Sequence, residues 1–170
     1  GNNCGHMLLI GSLNDVENFN VRCAKVEKII KPETPSIDVQ KLKEIFGDLQ
    51  QYLLIPHYDK KPHIDKQIIQ ELKLFITCGE VNSVKKFIYN IKNKESLTPV
   101  YFSDMRAKKD LTDFPLRQTF FDLDEINLRS IKLCLKDKTK ISLTKQEGHK
   151  KFVALPNLEL STGLNVIIGK

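Results

Sequence analysis

From residue 38 onward, short apolar runs alternate with longer stretches whose apolar residues recur at helical spacing, and few folds tolerate that rhythm. "DVQKLKEIFGDLQQY" sets Val39, Leu42, Ile45, Phe46 and Leu49 on one helical face, with Asp38 or Ser36 as the N-cap. "LLIPH" (53–57) predicts a buried strand, and "IDKQIIQELK" a second helix capped by Asp65 with Ile68, Ile69 and Leu72 inward. "LFITC" (74–78) is a second strand. "NSVKKFIYNIKN" is a third helix, capped by Asn82 or Ser83, with Val84, Phe87, Ile88 and Ile91 inward, and "TPVYF" (98–102) is a third strand. Strands of about five residues separated by helices of ten or more predict βα units and a parallel sheet, hence the α/β class. "GHMLLIG" near the start predicts one more strand, with His6 at its entrance.

Beyond residue 104 the rhythm changes. "DLTDFPLRQTFFDL" reads as a loop entering a strand, and "DEINLRSIKLCLKDK" as a helix capped by Asp124 with Ile126, Ile131, Cys134 and Leu135 near one stripe. "KISL", "KFVAL", "LEL" and "LNVIIG" then follow with no helix between them, which places a domain boundary near residue 140.

Charge and cysteine usage narrow the function classes. The formal net charge is +6, with lysine concentrated in 85–94 and 132–151; a solvated face is the ordinary meaning, and a nucleic-acid surface is the alternative. Arginine, the better phosphate fork, is scarce. Cys4, Cys23, Cys78 and Cys134 form no C-x-x-C pair, which argues against a zinc knuckle. Cys78 and Cys134 lie in apolar runs and read as buried thiols in a reducing, cytoplasmic setting. No apolar run approaches the roughly 20 residues of a membrane span, and the start lacks the layout of a secretory signal.

In parallel α/β folds, functional groups gather past the carboxyl ends of the strands. That rule selects His57, Glu80 and Asp104, and His6 sits beside the additional strand. Each alone is an ordinary turn or strand-end residue; together they compose an oxygen and nitrogen ligand set for a divalent cation. His63 reads as a surface residue in a turn, and His149 has no partner in view.

The same residues carry a resemblance. "GHMLLIG", "LLIPHYDK", "ITCGEVNS" and "FSDMR" resemble, in order and spacing, motifs from the later part of the polymerase-and-histidinol-phosphatase (PHP) family of metal-dependent phosphoesterases. The resemblance covers residues 1–138 and implies a partial, distorted β/α barrel with parallel strands. It implies that His6, His57 and Asp104 hold Mn²⁺, Zn²⁺ or Mg²⁺, with Glu80 beside them. Two features depart from the family pattern. The opening H-x-H motif is absent, and the expectation is that the chain starts past it. Arg106 stands where the family has a metal-binding histidine; a guanidinium cannot ligate a cation but can grip a substrate phosphate bidentately.

A second resemblance lies in residues 139–170. "ALPNLELSTGLNVIIGK" is similar to the strand that enters the Walker A loop of ABC/SMC-type ATPase heads, with Gly169 and Lys170 where a phosphate loop begins. This implies a β-rich start of a P-loop ATPase domain that uses ATP and Mg²⁺ and forms a homo-oligomer through that part. The pairing is similar to large bacterial ATPases of DNA-related or phage-defence function. Two functions follow: a phosphoesterase or nuclease module coupled to an ATPase, or a degenerate barrel serving as a scaffold or nucleic-acid platform. A third reading, an α/β fold with no inherited function, needs neither resemblance.

Overall fold

The computed structural model describes residues 5–33, 36–102 and 118–144. Their elements, in chain order, begin with β1 (Met7–Ile10), α1 (Val16–Ile29), α2 (Val39–Phe46) and β2 (Leu53–Asp59). There follow α3 (Lys66–Glu71), β3 (Cys78–Val81), α4 (Val84–Lys92) and β4 (Thr98–Val100), and then β5 (Phe120–Phe121), α5 (Leu128–Cys134) and β6 (Ile141–Ser142). The fold is mixed α/β, built on a four-stranded sheet in the order β1-β2-β3-β4. β2, β3 and β4 are parallel, as the βα alternation predicts, whereas β1 runs antiparallel to β2 with Met7 opposite Pro56 and Ile10 opposite Leu53. The expectation of parallel strands throughout is corrected at β1: a single helical connection is not what joins it to β2, since two helices intervene.

β2 is buried on both sides, and this explains its unbroken apolar run. Leu54 packs with Leu42, Phe46, Tyr52, Leu72 and Ile76 on one side, against Met7 and Leu9 of β1. Leu53 and Ile55 pack on the other with Cys78, Phe87, Val100, Leu135 and Ile141. The thiol of Cys78 is fully buried, and burial pushes its pKa up to about 12.

Local signals decide most helix ends. The Asp38 carboxylate accepts the amide of Lys41 at 2.7 Å to start α2, which ends at Gly47 with φ +70°. Asp65 caps α3 and Ser83 caps α4. The Asn127 side chain, not Asp124, caps α5, so that helix starts later than the sequence predicts and Ile126 is 96% exposed. Val84 and Ile88 of α4 are also exposed, leaving Phe87 and Ile91 to make its inward face.

Two larger differences concern α1 and β3. Helix α1 has no expected counterpart; it rests Phe19, Cys23 and Val26, spaced i, i+4 and i+7, on the Leu54 side. β3 starts at Cys78 instead of residue 74, because the Leu72 carbonyl accepts both the Phe75 and Ile76 amides and prolongs the turn after α3. Gly79 is needed in that strand: a Cβ there would meet the Tyr58 Cβ at 2.4 Å.

The segment after residue 118 joins the same core. β6 pairs with β5, and Lys138 donates from Nζ to the carbonyls of Asn90, Asn93 and Ser96 at 2.9, 2.6 and 2.7 Å, closing the C-terminal end of α4. Lys138→Met strips three acceptors of their donor and is expected to cost about 1–2 kcal/mol in urea unfolding, whereas Lys140→Met changes little. Residues 145–170, which hold Gly169, Lys170 and His149, lie outside the described residues.

A buried histidine–glutamate–lysine cluster as candidate functional site

Parallel pairing of β2 and β3 sets His57 directly opposite Glu80. The two therefore lie inside their strands, not past the ends as the sequence reading expects, and the pairing register shifts immediately afterwards, between His57 and Asp59. Antiparallel pairing of β1 extends one step beyond Met7, since the His57 amide donates to the His6 carbonyl at 2.8 Å. The His6 and His57 rings consequently face each other, with centroids 5.1 Å apart at 54°. Three of the candidate residues, His6, His57 and Glu80, are thus brought together by two strand registers. Asp104 and Arg106 lie outside the described residues. His63 is exposed, its Nδ1 3.1 Å from the Tyr58 carbonyl oxygen, as a surface residue should be.

Glu80 is only 2% exposed, so its carboxylate needs compensation. Lys60, from the turn that follows β2, supplies it with Nζ 2.6 Å from Oε1. His57 Nε2 stands 3.3 Å from the other oxygen, Oε2. His57 Nδ1 is buried and has no hydrogen-bond partner among the described residues. Lys60 was missed by sequence reasoning, although it follows the strand by one residue and is the nearest cation to a buried carboxylate. Below this cluster the Asp59 carboxylate accepts from Asn90 Nδ2 at 2.7 Å, and its carbonyl accepts from Lys86 Nζ at 2.6 Å, which anchors α4 to the end of β2.

Burial lowers the pKa of His57 below the ordinary histidine value. Glu80 pulls the other way, Lys60 and His6 reinforce the lowering, and the Pro62 carbonyl opposes it weakly. The folded chain thus resists a proton that the unfolded chain accepts near pH 6.5. Stability from this group is present above about pH 6.5 and is lost as pH falls toward the lower folded-state pKa, with a slope of at most about 1.4 kcal/mol per pH unit. Urea midpoints measured from neutral pH downward should fall more steeply for the parent chain than for His57→Gln.

Among the described residues no group of three or more His, Cys, Asp and Glu side chains is arranged to hold a metal ion. The carboxylate that would meet the cation is already bonded to an ammonium. Beside His6 opens a cavity of about 720 Å³ between β1, α1, α2 and α3, with walls such as Met7, Leu9, Val26, Leu42 and Ile68. No helix among the described residues is long and apolar enough to cross a membrane. Comparison of the chain with family models, with curated proteins and with solved structures yields no match.

Proposed function

We propose that this chain is a PHP-like α/β module in which a lysine ammonium has taken the place of the catalytic cation, so that it serves as a scaffold and nucleic-acid platform rather than as a phosphoesterase. The observation that carries this reading is the 2.6 Å ion pair between Lys60 and the buried Glu80, set beside two facing imidazoles. In this reading the sequential parallel order β2-β3-β4 is one wall of a distorted β/α barrel, and residues 139–170 lead into a P-loop ATPase whose phosphate loop begins at Gly169 and Lys170. The ATPase part would bring ATP, Mg²⁺ and homo-oligomer formation, and the assembly would work on DNA, in a defence role among others. Arg106 in the place of a ligating histidine supports loss of the metal, and the free thiols of Cys23, Cys78 and Cys134 support a reducing, cytoplasmic setting.

The catalytic reading has one observation in its favour, the approach of His6 and His57 to Glu80. Elemental analysis of the purified chain, with hydrolysis of an activated phosphodiester in Mn²⁺, Zn²⁺ or Mg²⁺, separates the two. The expected result is substoichiometric metal and no metal-dependent hydrolysis. Stoichiometric metal, with hydrolysis abolished by His57→Ala, would restore the phosphoesterase.

A further inference from the structure

A groove of about 590 Å³ separates α5 from the loop after β1 and from the short turn at Leu49–Gln51. Arg129, Lys132 and Lys136 line it from one side. Their spacings of three and four residues bring them within about 60° of one another around the helix, at successive axial steps of about 4.5 and 6 Å. Lys136 lies beyond α5, but its amide donates to the Leu133 carbonyl at 3.1 Å and continues the winding. The opposite wall holds Ser12, Asn14, Gln50 and Gln51.

Hydroxyl and amide side chains beside a row of cations form the donor set that contacts phosphate and sugar oxygens in nucleic-acid complexes. Glu125 also lines the groove, and its carboxylate is engaged by Asn127 Nδ2 at 2.9 Å. Lys132 donates to the Gln50 carbonyl and is lowered in pKa by burial and by its neighbour Lys136, with Asp48 opposing. Two ammoniums crowded together gain from an anion between them. Among the described residues no aromatic side chain lines the groove, so it offers no ring on which a base would stack.

We propose that this groove binds the sugar–phosphate backbone of nucleic acid, independently of base sequence, with Arg129, Lys132 and Lys136 as its phosphate contacts. The inference rests on the platform reading above and gives that platform an address.

Fluorescence anisotropy of the full chain with a labelled single-stranded oligonucleotide, across a salt series, tests it. Three phosphate contacts on a single strand predict a log–log salt slope of about −2. Arg129→Glu combined with Lys136→Glu should weaken binding at least about tenfold, and each phosphate contact removed should reduce the slope by about 0.7. Lys25→Glu on exposed α1, which alters net charge alone, should leave affinity within about twofold. Unchanged urea midpoints in these surface variants confirm that the fold is intact. Binding that ignores the groove variants overturns the groove and leaves the platform standing; absence of oligonucleotide binding overturns both. Equal, groove-dependent binding of labelled polyglutamate would reassign the surface to an acidic protein and also overturn the proposal. The metal assay stands apart from all of these outcomes.

Discussion

Lys60→Met should destabilise the chain by about 3 kcal/mol at neutral pH, because it leaves the Glu80 carboxylate buried without its cation. Lys60 is 17% exposed at its side chain and Glu80 2%, so solvent screens the pair little. The informative comparison is a double-mutant cycle in urea. Glu80→Met alone strands the Lys60 ammonium less severely, since a long flexible stem can swing its head to water. The double variant Lys60→Met/Glu80→Met should recover most of the loss, as an apolar pair of similar volume replaces an ion pair at little net cost. A loss under about 0.5 kcal/mol in Lys60→Met would mean that the carboxylate is compensated by other groups, and it would remove the main support for an internal cation.

Leu135→Ala is expected to cost about 2–5 kcal/mol, and to do so in one cooperative transition. Leu135 is completely buried and shares its cluster with Leu53, Ile55, Val100 and Ile141. Removing its side chain therefore opens a cavity against Leu53 and Ile55 of β2, although those residues lie far away in sequence. If α5 and β6 instead formed a unit of their own, the variant would release an early, partial transition and leave the sheet's midpoint in place. Circular dichroism and tyrosine fluorescence recorded on the same urea series distinguish the two.

Which parts of this molecule are legible in its sequence follows from the kind of force involved. Helices α2, α3 and α4 each carry a capping side chain at the start and an apolar stripe behind it, and both signals are local. Helix α1 has no side-chain cap bond and no fully buried residue, so its stripe of Phe19, Cys23 and Val26 stands out only once the sheet exists to receive it. The displaced start of β3 has the same origin: "LFITC" has strand composition, yet two amides are captured by one carbonyl at the end of α3. Within the candidate site, His57 and Glu80 are visible as polar residues in apolar strands. Their mutual distance is set by strand register, a long-range property, and Lys60 enters only because a buried charge demands a partner.

The sulfur of Cys78 makes the central sheet self-reporting. A thiol held near pKa 12 in a sealed interior has almost no thiolate to offer an alkylating reagent, so it can be modified only during moments when β3 comes loose. The half-exposed Cys23 on α1 reacts without any such opening. Mass spectrometry of the two sites over time would therefore turn the chain's own cysteines into a clock for how often its interior breathes.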